Sequence, residues 1–441
     1  MKKSISLFIA ILIMLSTATI AAYAAPEIPA ANIPKLSAAN KLTLTADLPV
    51  DGFSYQVYKG SKKIASAAIA AKDSSASAKL NLKVGTIYKA RARAYNLADG
   101  VKSYGKWTEY TYISPAPTVT YKWSEKGLKI TWSEAKNASH YNLRVERPNN
   151  SNISVKYTGL TAASFTVPFS ALPLLNVNKR YKISVAPYKD NIKTNTGTVT
   201  TNSIEICGHR GAMDVAPQNT LASFQKAYEL GYNSIEADYW ETNSGDLLIL
   251  HDNTLKMCNN PTIDVRTLTK NSLKNYPIKK GPNVKTYDTQ YIPTLAQLAK
   301  FASQSNLKLY LHTKNSNITD TGLTKVYNTL KKYGMENKTI VFSSNKTACA
   351  RIAKHKIRAG YLIFPKSKKD IRAGVDYTKS VKAKLLICQY NEFMSSAGVE
   401  YAHKKSIKLG CYDVSNQATA SKFTNMGADF LITNNDFINN N

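Results

Sequence analysis

The chain has 441 residues, 43% of them hydrophobic, enough for ordinary globular cores and long for one domain. Its 59 Lys and Arg against 29 Asp and Glu give a formal net charge of +30, which favours polyanionic partners. No nucleic-acid recognition motif or Lys/Arg-rich helix accompanies that charge, which argues against DNA or RNA as the partner.

The first element is an export signal. Lys2 and Lys3 precede an apolar run over 5–15, and Ala22, Tyr23 and Ala24 form a small-x-small cleavage site. Residues 1–24 are therefore expected to be removed, and the mature protein to be secreted or cell-wall associated. The apolar run is too short for a comfortable membrane span, and no 18-residue apolar stretch follows it, so no transmembrane segment is expected in the mature form. For an exported protein, an anionic cell-wall polymer or lipid headgroup suits the charge. Cys207, Cys258, Cys349, Cys388 and Cys411 are odd in number, without zinc-type spacing, and mostly sit in apolar runs. Buried free thiols are expected rather than a disulfide framework.

Residues 25–203 carry an internal repeat. YKARARAY at 88–95 recurs as YKISVAPY at 181–188, Leu42 to Leu44 matches Leu128 to Ile130, and Tyr55 matches Tyr141. Period-two alternation between Gly, Asn, Asp and Ser turns predicts antiparallel β-sandwiches of roughly 90 residues each. The Tyr-ended strand late in each copy, with Trp107 and Trp132, resembles fibronectin type III modules of exported bacterial proteins. Pro115 and Pro117 mark the junction, giving modules at 25–115 and 116–203. Core and tyrosine-corner roles are expected for the tyrosines, with a spacer or wall-binding role for the modules.

After 203 the rhythm changes. Apolar strand-length runs at 204–207, 234–238, 308–312, 339–342, 360–363, 385–388, 408–412 and 429–432 alternate with helical patterns such as 220–230, 294–303 and 416–426. Gly231 and Gly334 are placed as helix stops. Eight strands with intervening helices over 204–441 predict a TIM-type (β/α)8 barrel, whose functional groups gather at the C-terminal strand ends. The fold class is thus multidomain, two all-β sandwiches followed by that barrel.

Chemistry-bearing residues sit at those ends. His209 and Arg210 close the first strand, and Glu236 and Asp238 close the second, on one face by alternation. Two such carboxylates suit a hard divalent cation. A two-residue turn at Ser244 and Gly245 would pair Asn243 with Asp246 and, in that register, Asp238 with His251. Two histidines, an arginine and two carboxylates would then converge, a set suited to metal-assisted phosphoryl chemistry.

The stretches GHRG, APQNTLASF, IEAD and SGDLLILHDNTL within 208–255, followed by IPTLAQLAKF (292–301), LKLYLHTK (307–314) and GADFLIT (427–433), resemble the glycerophosphodiester phosphodiesterase family in order and across 204–441. The resemblance implies hydrolysis of a small-molecule or polymeric phosphodiester to an alcohol and a phosphomonoester such as glycerol 3-phosphate. It implies His209 and His251 as acid and base, Arg210 and Lys314 on the phosphate, and Glu236 with Asp238 on calcium or magnesium.

The chain departs from the family pattern at four places. Gln218 stands for a glutamate and His312 for the third metal-ligating glutamate. Met257 stands for an arginine, and Asn434 for an aspartate. His312 as a ligand would favour manganese or zinc over calcium; otherwise Glu236 and Asp238 bind alone, or His312 and Lys314 supply the positive charge. Gln218 is given a supporting role behind the site, and Asp252 either orients His251 or caps the next turn. Two other readings remain: a degenerate barrel that binds phosphodiesters in wall polymer or lipid headgroups without cleaving them, and phospholipase D-like cyclising chemistry.

Overall fold

The computed structural model describes residues 27–37, 39–171 and 177–434. The expected export signal at 1–24 lies outside the described residues. Contacts divide the chain into two compact units, one of Met1–Thr118, Ser133–Asn142 and Ala186–Gly197, the other of Val119–Trp132, Leu143–Val185 and Thr198–Asn441. Among the described residues no helix is long and apolar enough to cross a membrane.

The N-terminal half is sheet-rich, and its two copies share one strand order. In the first, Lys41–Thr45 pairs with Lys35–Leu36 and Ser75–Lys79, and a second sheet runs Lys62–Ala70, Gly52–Lys59, Tyr88–Ala98, Val101–Tyr104. In the second, Gly127–Trp132 pairs with Val119–Ser124 and Ser164–Pro168, and the other sheet runs Asn150–Leu160, His140–Arg147, Lys182–Lys189, Ile192–Lys193. Alternation explains the first copy's core: Leu42, Leu44, Phe53, Val57, Ala90 and Ala92 face inward, fully buried, between polar neighbours. The Tyr88 hydroxyl accepts from the Lys83 N–H at 3.0 Å, and that of Tyr141 from the Ala135 N–H at 2.8 Å. Trp132 is buried, whereas Trp107 is half-buried beneath the guanidinium groups of Arg91 and Arg93, each 4.6 Å from its ring centroid. Cation–π stacking, not core packing, holds that indole.

The C-terminal half forms a closed barrel. Its strands are β1 (Glu205–Gly208), β2 (Ser234–Glu241), β3 (Lys308–Thr313), β4 (Thr339–Ser343), β5 (Ala359–Ile363), β6 (Leu385–Gln389), β7 (Lys408–Val414) and β8 (Phe430–Thr433). All eight neighbouring pairs are parallel, and β1 pairs with both β2 and β8, which closes the ring. The strands are near-continuous apolar runs because both faces are covered. Inside, Cys207, Tyr310, Phe342, Leu385, Ile387 and Phe430 fill the lumen, so this is a packed core rather than a pore.

Seven helices return the chain between strands: α1 (Leu221–Glu229), α2 (Leu295–Gln304), α3 (Asp320–Lys332), α4 (Lys346–Lys354), α5 (Lys368–Ser380), α6 (Ser396–Lys404) and α7 (Gln417–Met426). Each starts on a Thr, Asn or Ser whose side chain accepts a backbone N–H of the first turn: Thr220, Thr294, Thr319, Asn345, Ser367, Ser395 and Asn416. Such a cap contributes about 1 kcal/mol per helix. All five cysteines are buried free thiols.

The expected hairpin register is corrected by one residue. After β2 the chain returns as Leu247–Ile249, antiparallel, with Tyr239 opposite Ile249 and Glu241 opposite Leu247. The loop has three residues, not two. Gly245 sits at φ +74 and donates to the Thr242 carbonyl at 2.8 Å, while the Thr242 hydroxyl accepts from the Asp246 N–H at 3.0 Å. Asp238 therefore stands opposite Leu250, whose N–H it accepts at 3.0 Å, rather than opposite His251. His251 still reaches the barrel mouth because the return strand ends at Ile249 and the pleat no longer dictates side-chain direction.

Candidate active site

The loop after β1 folds back on itself to present its side chains. Arg210 lies at φ +54, which turns its backbone N–H onto Glu236 Oε2 at 3.0 Å and its carbonyl toward Asn219 N (2.9 Å) and Ser223 Oγ (3.0 Å). Gly211 follows at φ +84, and a Cβ there would lie 2.4 Å from Ser223 Oγ, so only glycine lets the loop meet the start of α1. Thr220 caps α1, and the amide of Asn219 is buried across the loop. Its Nδ2 donates to Asp238 Oδ2 at 3.1 Å, and its Oδ1 accepts from the Asp238 N–H at 3.3 Å.

Seven of the residues singled out from sequence line one cavity of about 170 Å³ at the C-terminal strand ends: His209, Arg210, Glu236, Asp238, His251, His312 and Lys314. Asp238 is the hub. Arg210 Nε lies 3.2 Å from one of its oxygens, and His312 Nδ1 and Lys314 Nζ lie 3.2 and 3.6 Å from the other. Burial would raise its pKa, but the His312 contact and the positive charges of Arg210 and Lys314 hold it well below the usual carboxylate range. Glu236 goes the other way. Burial and the neighbouring Asp238 charge push its pKa well above the ordinary value, against the pull of Arg210 and Lys314.

The two histidines share a pattern. Nδ1 of His251 contacts Asp252 Oδ1 at 2.8 Å, and Nδ1 of His209 contacts the side-chain oxygen of Asn434. In each, Nε2 is the remaining ring nitrogen; that of His209 lies 3.8 Å from Glu236 Oε2. Burial, then the Arg210 charge, lower the His209 pKa to about 4, and burial also lowers that of His251. Both imidazoles are thus neutral at pH 7.

The opposite wall is apolar, formed by Phe342, Leu362, Phe364, Ile387, Tyr412 and Ile432. Phe342 stacks on His312 with centroids 4.7 Å apart and planes at 6°, which fixes the direction of Nδ1. Ligand atoms of Glu236, Asp238 and His312 all lie within 4.8 Å of one another. Two carboxylates and an imidazole form a chemically suitable donor set for a divalent cation. A bound cation would also compensate Glu236, a buried carboxylate whose ionisation is otherwise costly.

Gln218 and Asp252 stand behind the cavity. Gln218 accepts from Arg210 Nη1 and donates to Met257 Sδ at 3.3 Å. Two of the departures from the family pattern, 218 and 257, are therefore in contact, as a neutral amide–thioether pair. Sequence reasoning missed Asn219, although it lies inside the quoted APQNT motif, and it missed Asp413 and the role of Asn434. His140, His355 and His403 lie elsewhere, on Tyr188, Asp320 and Asp429.

Fold and site together define a phosphodiesterase-type (β/α)8 barrel, with paired imidazoles, two cationic side chains and a carboxylate pair at one mouth. The profile of the glycerophosphoryl diester phosphodiesterase family matches residues 209–436, just over half of the chain, and the chain belongs to that family. Among relatives, the uncharacterized protein YqiK of Bacillus subtilis (strain 168) is 26% identical over 243 residues, covering 52% of this chain and 94% of that protein. A glycerophosphodiester phosphodiesterase of Caldanaerobacter subterraneus subsp. tengcongensis is 29% identical over 143 residues, covering 32% and 58%. An Oleispira antarctica phosphodiesterase solved with the product sn-glycerol-3-phosphate is similar at 22% identity and TM-score 0.46, covering 53% of this chain and 93% of that one.

Proposed function

We propose that the barrel hydrolyses a glycerophosphodiester, or a related polyol-phosphate diester, to an alcohol and a phosphomonoester, with His209 and His251 as the acid–base pair. One observation carries this reading: each histidine has Nδ1 held by a side-chain acceptor, leaving Nε2 for proton transfer in a cavity both residues line. Arg210 and Lys314 hold the phosphate. One imidazole takes the proton of the attacking hydroxyl, from water or from the substrate's own glycerol; the other, neutral in the empty site, takes up a proton on Nε2 beside the phosphodiester anion and passes it to the leaving alkoxide. Glu236, Asp238 and His312 would hold a divalent cation, which when bound polarises the phosphoryl oxygen. The nitrogen ligand favours manganese or zinc over calcium or magnesium. The apolar wall keeps bulk water from the scissile bond.

The reading extends to the whole chain: an exported protein with a leader at 1–24, fibronectin type III-like modules at 25–115 and 116–203, and the barrel at 204–441. The shared strand order of the two sheet-rich copies supports the modules. The charge, +17 over 1–203 and +13 over 204–441, supports an anionic cell-wall polymer or lipid headgroup as partner.

Purified full-length protein, assayed on glycerophosphodiesters with calcium, magnesium, manganese or zinc beside His209→Ala, tests this. Turnover that falls about 10²–10⁴-fold in the variant supports it. Absence of turnover in folded protein with every metal rejects hydrolysis. That result would favour a binder that does not cleave, a second reading suggested by Arg210 and Lys314 already offsetting the charge of Asp238.

A further inference from the structure

The C-terminal end of β7 contains an irregularity that brings an unassigned carboxylate to the site. Tyr412 is opposite Ile432 and Val414 is opposite Thr433, so Asp413 is an extra residue in the ladder, at φ +66. Without the bulge, alternation would send the side chains of 412 and 413 to opposite faces. With it, Tyr412 lines the cavity and Asp413 Oδ1 accepts from Nδ2 of Asn434, the residue just past β8. The other end of the same amide, Oδ1, meets His209 Nδ1.

We propose that Asp413 is the positioning residue for His209, acting through Asn434 to fix the imidazole as its Nδ1–H tautomer. The inference follows from donor and acceptor capacity. An ionised carboxylate only accepts, so Asp413 requires the amide's NH2. That leaves the amide oxygen for His209, and an oxygen requires Nδ1 to carry the hydrogen. Nε2 then holds its lone pair toward the cavity, where a base is needed. An asparagine by itself does not fix a tautomer, because its amide can turn over and offer either end. Asn434 carries no charge, so the carboxylate of the relay is Asp413, one link further from the ring.

The inference rests on the proposed acid–base role of His209 for its consequence, but the tautomer can be read without turnover. Asp413→Asn keeps the shape and tolerates positive φ, so the bulge is preserved. Asn434→Asp added to it places the carboxylate directly on His209 Nδ1, with the amide now at 413. Nitrogen-15 spectra of histidine-labelled, metal-free full-length protein above pH 7, with His209 assigned by its absence in His209→Gln, report which ring nitrogen is protonated. The expected result is an Nδ1–H ring in the wild-type protein, a tautomer mixture in Asp413→Asn, and Nδ1–H restored in the double variant. In the hydrolysis assay, Asp413→Asn should lower kcat at least about tenfold with little change in KM, and the double variant should recover most of the loss. A wild-type tautomer unchanged by Asp413→Asn overturns the proposal. So does a double variant, folded, that recovers neither tautomer nor rate, because Asp413 would then serve only the bulge. If the wild-type protein cleaves no diester, the hydrolysis reading fails and the spectra still decide the relay.

Discussion

Replacing His209 with glutamine should remove a specific part of the barrel's acid sensitivity. Burial and the Arg210 charge depress the His209 pKa from an ordinary 6.5 to about 4. Above pH 6.5 the ring is neutral whether folded or unfolded and contributes no pH dependence. Between 6.5 and 4 the unfolded chain binds a proton that the folded one refuses, so stability falls as pH falls. A depression of this size is worth roughly 3 kcal/mol in full, of which about 2.5 kcal/mol is lost between pH 7.5 and pH 4.5. Hydrogen-exchange mass spectrometry of β1 and β8 peptides, in chelator, compares wild-type protein with His209→Gln at each pH and cancels intrinsic exchange. The wild-type opening constant should rise some 70-fold more than that of the variant, about the factor that 2.5 kcal/mol represents. Equal rises in the two proteins would refute the claim that His209 is buried as a neutral base.

Three further outcomes follow from the same geometry. Asp238→Asn leaves Arg210 and Lys314 without their shared counter-charge, and should cost about 3–5 kcal/mol. Calorimetry would show the barrel transition lowered by roughly 6–20 °C, and an unchanged transition would contradict the hub. Gln218→Glu and Met257→Arg, combined, should create an ion pair in place of the amide–thioether contact. A double-mutant cycle in urea is expected to give a favourable coupling of about 0.5–3 kcal/mol, against strict additivity if the two side chains do not interact. Cation binding should expel a proton from Glu236, whose pKa is raised in the cation-free protein. Affinity should therefore climb with pH, by up to about tenfold per unit, and calorimetry in two buffers of different ionisation enthalpy should show the released proton. Affinity independent of pH between 5 and 7 would contradict it.

Much of this architecture was legible before any coordinates. Each of the eight expected barrel strands overlaps an observed one, because a parallel strand covered on both faces must be written as an apolar run. The order HRG, E-x-D, HD, H-x-K likewise marked residues that line one cavity. What sequence reasoning misjudged was local backbone detail. The hairpin register slipped because a loop closed by Thr242 and Gly245 looks in one dimension like a two-residue turn. The partners of His209 and Arg210 were hidden for a different reason. Asp413 and Asn434 meet only because a bulge inserts one residue into β7, and Gln218 and Met257 meet although they stand 39 positions apart in the chain. Alternation counts cannot see an extra residue. The available signal for the missed Asn219 was its place between Gln218 and the cap Thr220, where a short amide can reach the second strand. For Asp413 the signal was an acidic residue at a barrel strand's C-terminal end.

Phosphorus NMR of the full-length protein turning over a glycerophosphodiester in oxygen-18 water, with manganese or zinc present, tests the central claim most directly. The account predicts that the diester signal gives way to a phosphomonoester carrying the isotope, and that His209→Ala and His251→Ala leave the diester intact. A cyclic phosphate as the final product, or a phosphomonoester formed equally well by both variants, would contradict it.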